Sequence, residues 1–231
     1  MAHRAEGTRP RSRGVHAAPP PAERGGGAVR WAGLAFAAAL VAVPVAAVVA
    51  SPLQEGRSFT WTLASVTGVV ALALLIMQIT LPNRTRLLAR VFGARPLRLH
   101  RAVGLAVTGL VAAHIALLYA NGPDDITDAL VLDAPTYSRL GVVSAFCLAL
   151  SVVLALGRRR LGLHYSNWRI LHAALAVAIT GTAFAHVVLL RGPLDGVAEL
   201  FLLVTGLAAG AATAVHLLVV RPLRRHRRDA P

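Results

Sequence analysis

The sequence predicts an all-α integral membrane protein, a bundle of six helices, and three observations carry that prediction. Of 231 residues, 56% are hydrophobic and only 15% charged, whereas a water-soluble domain keeps about a quarter of its residues charged. The formal charge is nevertheless +14, from 24 basic residues, all of them arginine, against 10 acidic ones. Six apolar runs reconcile the two figures, each near the ~20 residues that cross roughly 30 Å of hydrocarbon at 1.5 Å per residue. A basic nucleic-acid surface would explain the charge but not the apolar fraction, so no nucleic-acid partner is expected and membrane lipid is. The single cysteine, Cys147, excludes an intramolecular disulfide and any cysteine-based metal or iron–sulfur site.

Residues 1–30, rich in Arg and Gly and containing Pro19, Pro20 and Pro21, have no periodic apolar pattern and read as a disordered basic cytoplasmic tail. The spans follow at approximately 31–50, 61–81, 101–120, 139–157, 169–190 and 197–220, so that 31–220 forms one transmembrane domain. Each must be a helix, because an open strand in lipid leaves its backbone groups unpaired. Pro44 interrupts the first span and predicts a kink. The basic start and span one together resemble a secretory signal, but both are longer than that pattern allows, and span one is read as retained. Residues 221–231 form a second basic cytoplasmic tail.

Arginine sets the direction. Twenty-one of the 24 fall before span one, between spans two and three, between four and five, or after span six. Arg57, Arg139 and Arg191 lie on the other side with seven acidic residues, giving about +18 on one face and −4 on the other. The positive-inside rule then makes the protein multi-pass in the cytoplasmic membrane, with both termini cytoplasmic.

Four of the nine histidines pair by spacing: His100 and His114 of span three, and His172 and His186 of span five, each pair 14 residues apart. Fourteen helical residues return to within about 40° of the same face and advance about 21 Å. Each helix therefore shows one imidazole near each side of the membrane. Spans three and five run the same way, so His100 is level with His172 near the cytoplasm and His114 with His186 near the outside. Two imidazoles facing each other at one depth are what a six-coordinate haem iron requires. The reading is two b-type haems, inner on His100 and His172, outer on His114 and His186; with no C-x-x-C-H, covalent attachment is excluded. Gly104, Ala176 and Ala183, one turn from these histidines, leave room for a flat macrocycle. Arg98, Arg101 and Arg169 are the cationic candidates for inner haem propionates and Arg139 and Arg191 for outer ones, with Tyr119, Tyr137 and Trp168 as further candidates. Phe184, two residues before His186, stands where it could bridge the inter-haem gap or simply pack. His164 and His216 lie near the inner surface as possible accessories.

The segments RLHRAVGLAVTGLVAAHIALL and RRRLGLHYSNWRILHAALAVAITGTAFAH resemble the third and fifth helices of the ferric reductase-like transmembrane domain. That family embraces ferric reductases, the membrane part of NADPH oxidases and the haem-binding partner of periplasmic methionine sulfoxide reductases. The resemblance covers roughly residues 60–220. It implies a bundle with two stacked haems that passes electrons from a cytoplasmic donor to an extracytoplasmic acceptor. Many members continue into a flavin and nicotinamide dehydrogenase, whereas this sequence runs to RPLRRHRRDAP with no G-x-G-x-x-G in strand-to-helix context. The expectation is an oxidoreductase component that receives electrons from a separate donor protein or from quinol. Ferric iron is one expected acceptor, with Asp124, Asp125, Asp128 and Asp133 of an outer loop as candidate collectors. A haem subunit of a periplasmic reductase is the alternative. A metal or proton transporter would require carboxylates at membrane depth, and spans two to five have none.

Overall fold

One helix, the second span, organises the bundle. The computed structural model describes residues 25–222 apart from 84, 94–95, 131–133, 193, 195 and 221. The tails, with Arg84, Arg95, Asp133 and Asp195, therefore fall largely or wholly outside the described residues. The helices are α1 (Gly25–Ala50), α2 (Phe59–Thr80), α3 (Arg86–Phe92), α4 (Pro96–Asn121), α5 (Pro123–Ala129), α6 (Thr136–Gly157), α7 (Tyr165–Leu190) and α8 (Gly196–Val215), and no strand occurs among the described residues. Six of them, α1, α2, α4, α6, α7 and α8, are long and apolar enough to cross a membrane. This is a multi-pass membrane protein.

The predicted spans are found, with ends displaced by local chemistry. Helix α1 begins at Gly25, inside the stretch read as tail, and runs unbroken through a buried Pro44. Ser58 starts α2 by accepting a hydrogen bond from the Trp61 amide at 3.1 Å, satisfying a donor that has no helical partner. Helix α2 ends at a turn, Leu81–Asn83, where Pro82 has no N–H to continue the ladder. Arg191 closes α7 in a left-handed conformation, φ 45°. The short α3 and α5 lie in the loops and were not evident from periodicity.

Helix α2 packs most extensively on α4, and α6 on α7. Leu72, Ala73 and Ile76 of α2 meet Leu40 of α1 and Leu202 of α8 in a buried cluster, against which Ala183, Phe184 and Val187 of α7 also pack. Polar ties reinforce these seams: Asn83 donates to the Thr213 hydroxyl at 2.8 Å, and Ser144 donates to the Ile179 carbonyl at 3.1 Å. The outer faces of the helices are the reverse of a soluble surface, with Phe146, Leu156, Val177 and Leu218 at 69–76% exposure. Such a contiguous apolar exterior is matched to lipid. Helices α4 and α7 carry the paired histidines yet scarcely pack on each other.

Candidate functional site

Of the four span histidines, the inner two are in ring contact. At the inner level the rings of His100 and His172 stand 6.3 Å apart, centroid to centroid, with planes crossed at 83°. At the outer level His114 and His186 are near enough to interact electrostatically. No three His, Cys, Asp or Glu side chains converge among the described residues.

Neighbouring helices fix how the rings are turned. His114 Nδ1 lies 2.7 Å from the Ala64 carbonyl of α2, and His186 Nδ1 lies 2.7 Å from the Tyr137 carbonyl of α6. A carbonyl oxygen only accepts, so Nδ1 is the donor in both rings, and Nε2 is the nitrogen left for another partner. In each case a glycine one helical turn further on admits the imidazole. A Cβ at Gly68 would lie 3.0 Å from the His114 ring, and one at Gly141 would lie 3.0 Å from His186 Nδ1. At the inner level His172 Nδ1 is 3.0 Å from Ser151 Oγ of α6. His100 Nδ1 is buried without a hydrogen bond of ordinary geometry.

These residues fit a bis-histidine haem. Imidazole–metal bonds of about 2.0–2.1 Å put two rings that grip one ion from opposite sides roughly 6 Å apart between centroids, and the inner pair stands at 6.3 Å. Metal-bound histidines also characteristically donate their other N–H to a carbonyl or carboxylate, as His114 and His186 are set to do. Helices α2–α4 and α6–α7 each supply a ring and its carbonyl partner together.

At the inner end the Trp168 indole stacks on His172, centroids 5.2 Å apart and planes at 16°, and Tyr165 stacks on Trp168 at 5.8 Å. The Trp168 Nε1–H is buried with no acceptor, a donor suited to a propionate. Arg158 lies over both aromatic rings and Arg169 over Tyr165 at 5.6 Å. Arg98 and Arg101 are exposed on the first turns of α4. At the outer end Arg139 reaches the Thr136 hydroxyl at 3.3 Å, and Arg191 is exposed beyond His186. Tyr137 contributes its carbonyl, while Tyr119 is exposed at the end of α4.

Some secondary candidates are absorbed elsewhere. Phe184 packs against Gly206 of α8 and belongs to the apolar core. Ala183 also packs against that core, and Gly104 is covered by the Gln78 amide; only part of the expected open space is open. His164 begins α7, with Nδ1 2.8 Å from Ser166 Oγ. His216 opens a π-helical turn, His216–Val220, after α8. Asp124 and Asp128 lie on α5; nothing is described for the Asp125 side chain. Ala64, Ser151 and the glycines 68 and 141 touch the histidine rings, as does the Tyr137 carbonyl, contacts that histidine spacing alone did not reveal.

A family model described as "Ferric reductase like transmembrane component" matches residues 67–183, just over half of the chain. The chain belongs to the ferric reductase-like transmembrane family. The matched segment includes His100, His114 and His172 and ends before His186. No curated protein and no solved structure matches the chain. As a member of the family it is a transmembrane oxidoreductase component.

Proposed function

We propose that this protein is a di-haem b cytochrome that carries electrons across the cytoplasmic membrane. The donor is a separate cytoplasmic protein or quinol, and the acceptor is extracytoplasmic, with ferric iron the first substrate to try. The observation that carries this reading is the pairing of four intramembrane histidines at two depths, two of them held by carbonyl oxygens with Nε2 as the lone-pair nitrogen. When bound, haem supplies a one-electron Fe(III)/Fe(II) couple.

Everything else is the work of the chain. His100 and His172 would hold the inner group, and His114 and His186 the outer. Ala64, Tyr137 and Ser151 orient three of these rings and raise their basicity. Trp168 Nε1 with Arg98, Arg101 and Arg169 would receive inner propionates, and Arg139 and Arg191 outer ones. The apolar walls of α2, α6 and α7 keep the local dielectric low, which strengthens every one of these polar contacts. The arginine excess supports cytoplasmic termini, and so makes His100 and His172 the donor-side pair.

The test is optical. Full-length protein purified from haem-replete cells should give b-type bands on dithionite reduction and about two haems per chain. Absence of those bands, or unchanged haem content in both His114→Ala and His186→Ala, overturns the proposal. Reoxidation by a ferric chelate against a sulfoxide-reductase partner then separates the acceptors.

A further inference from the structure

The two helix pairs are built in the same register, and that register points to an unassigned residue. Helix α2 runs antiparallel to α4, as α6 does to α7. On α4 and on α7 the histidines are 14 positions apart. On α6 the groups that meet the α7 rings, Tyr137 and Ser151, are also 14 positions apart. Equal steps on antiparallel helices keep both contacts in phase, because both helices rise by the same amount per residue. Applied to α2 and α4, Ala64 opposite His114 places position 78 opposite His100. Ala64, Gly68 and Gln78 thus correspond to Tyr137, Gly141 and Ser151, each 73 positions further on.

Position 78 is a glutamine, and its surroundings agree. Gln78 Oε1 and His100 Nδ1 are both buried and both without a hydrogen-bond partner, whereas roughly nine in ten buried polar groups are paired. The Gln78 amide lies against Gly104, one turn along α4 from His100, where a Cβ would stand 2.7 Å from the amide nitrogen. An apolar span gains nothing by burying an unsatisfied carboxamide oxygen. Its carbonyl oxygen and the ring N–H are complementary.

We infer that Gln78 is the positioning residue of the inner site, its side-chain carbonyl accepting the Nδ1–H of His100 so that Nε2 is left to face His172. Gly104 is the clearance that lets the carboxamide enter. Ser151 does the same for His172. The inference rests on the haem reading above. One other acceptor is close: the Gln78 main-chain carbonyl also neighbours the His100 ring, and Pro82, four residues on, has no N–H to occupy it.

The experiment separates the two. Wild type, Gln78→Met and Gln78→Glu are purified as full chains, and each haem is followed through a redox titration with low-spin electron paramagnetic resonance spectra. Methionine keeps the length and removes the acceptor, so the ligand becomes less basic and the ferric state less favoured. The ferric-to-ferrous ratio of one haem at fixed potential should fall about tenfold, a rise of about 59 mV for a one-electron couple. Glutamate, a stronger acceptor, should move the same haem the opposite way, and the other haem should stay put. Shifts of the same sign in both variants, or none, assign the role to packing or to the main-chain carbonyl and overturn the inference. If Gln78→Met does not accumulate, the sign of the Gln78→Glu shift decides it. A wild-type protein without haem would instead overturn the functional reading.

Discussion

The outer and inner histidine pairs solve one orientation problem with different materials. The outer rings hang on main-chain carbonyls, Ala64 and Tyr137, each opposite a glycine. Of the inner rings, His172 meets a side chain, Ser151, and His100 sits by Gln78. A main-chain acceptor cannot be substituted away, so the outer geometry depends on how closely the helices approach. A side-chain acceptor can be exchanged, so the inner geometry is open to tuning.

The most direct way to break this comparison is to remove a ring. His186→Ala and His172→Ala should each eliminate one of the two haems, lowering haem per chain by about half; pyridine haemochrome assay would refute the pairing if either variant kept its full complement. Next comes the close approach. A valine at Gly68 or Gly141 must push an imidazole that already lies where its Cβ would touch, at a cost of about 1–3 kcal/mol for overpacking. Outer-haem occupancy should fall in both variants while helix content by circular dichroism holds. An equal loss of both haems would show a general collapse instead.

Ser151→Ala should be milder. It removes the His172 Nδ1 partner, and such outer-shell losses weaken metal-site affinity by roughly 10–100-fold. Haem retention during dilution should drop for the inner site alone; loss from the outer site would contradict the assignment by depth. Smallest is Thr213→Val, which breaks the tie between α8 and Asn83 in the turn that follows α2. Interhelical hydrogen bonds of this kind are worth about 0.6 kcal/mol in membranes, so detergent unfolding should shift slightly and both haem spectra not at all.

Much of the fold was legible because lipid leaves the chain few choices. The apolar runs had to be helices, and 14-residue spacing had to bring His100 level with His172. The start of α1 was missed because Gly25, Gly26 and Gly27 belong to the Arg- and Gly-rich stretch read as tail. Helices α3 and α5 have seven residues each, too few for periodicity to register. The outer acceptors were illegible in principle, since every residue has a carbonyl and nothing in an alanine or a tyrosine marks its own. The inner acceptors did leave a trace: Gln78 and Ser151 are polar residues inside apolar helices, and polar groups at membrane depth usually have a task.

The thin packing between α4 and α7 bears on how the molecule is made. Synthesis delivers α2 and α4 first, with a complete seam and a ring already docked on a carbonyl. Helices α6 and α7 emerge later as an equivalent pair with its own docked ring. Each pair thus carries its own ring-orienting contact, and the two are joined through the α1–α2–α8 core, which α7 completes only after it has emerged.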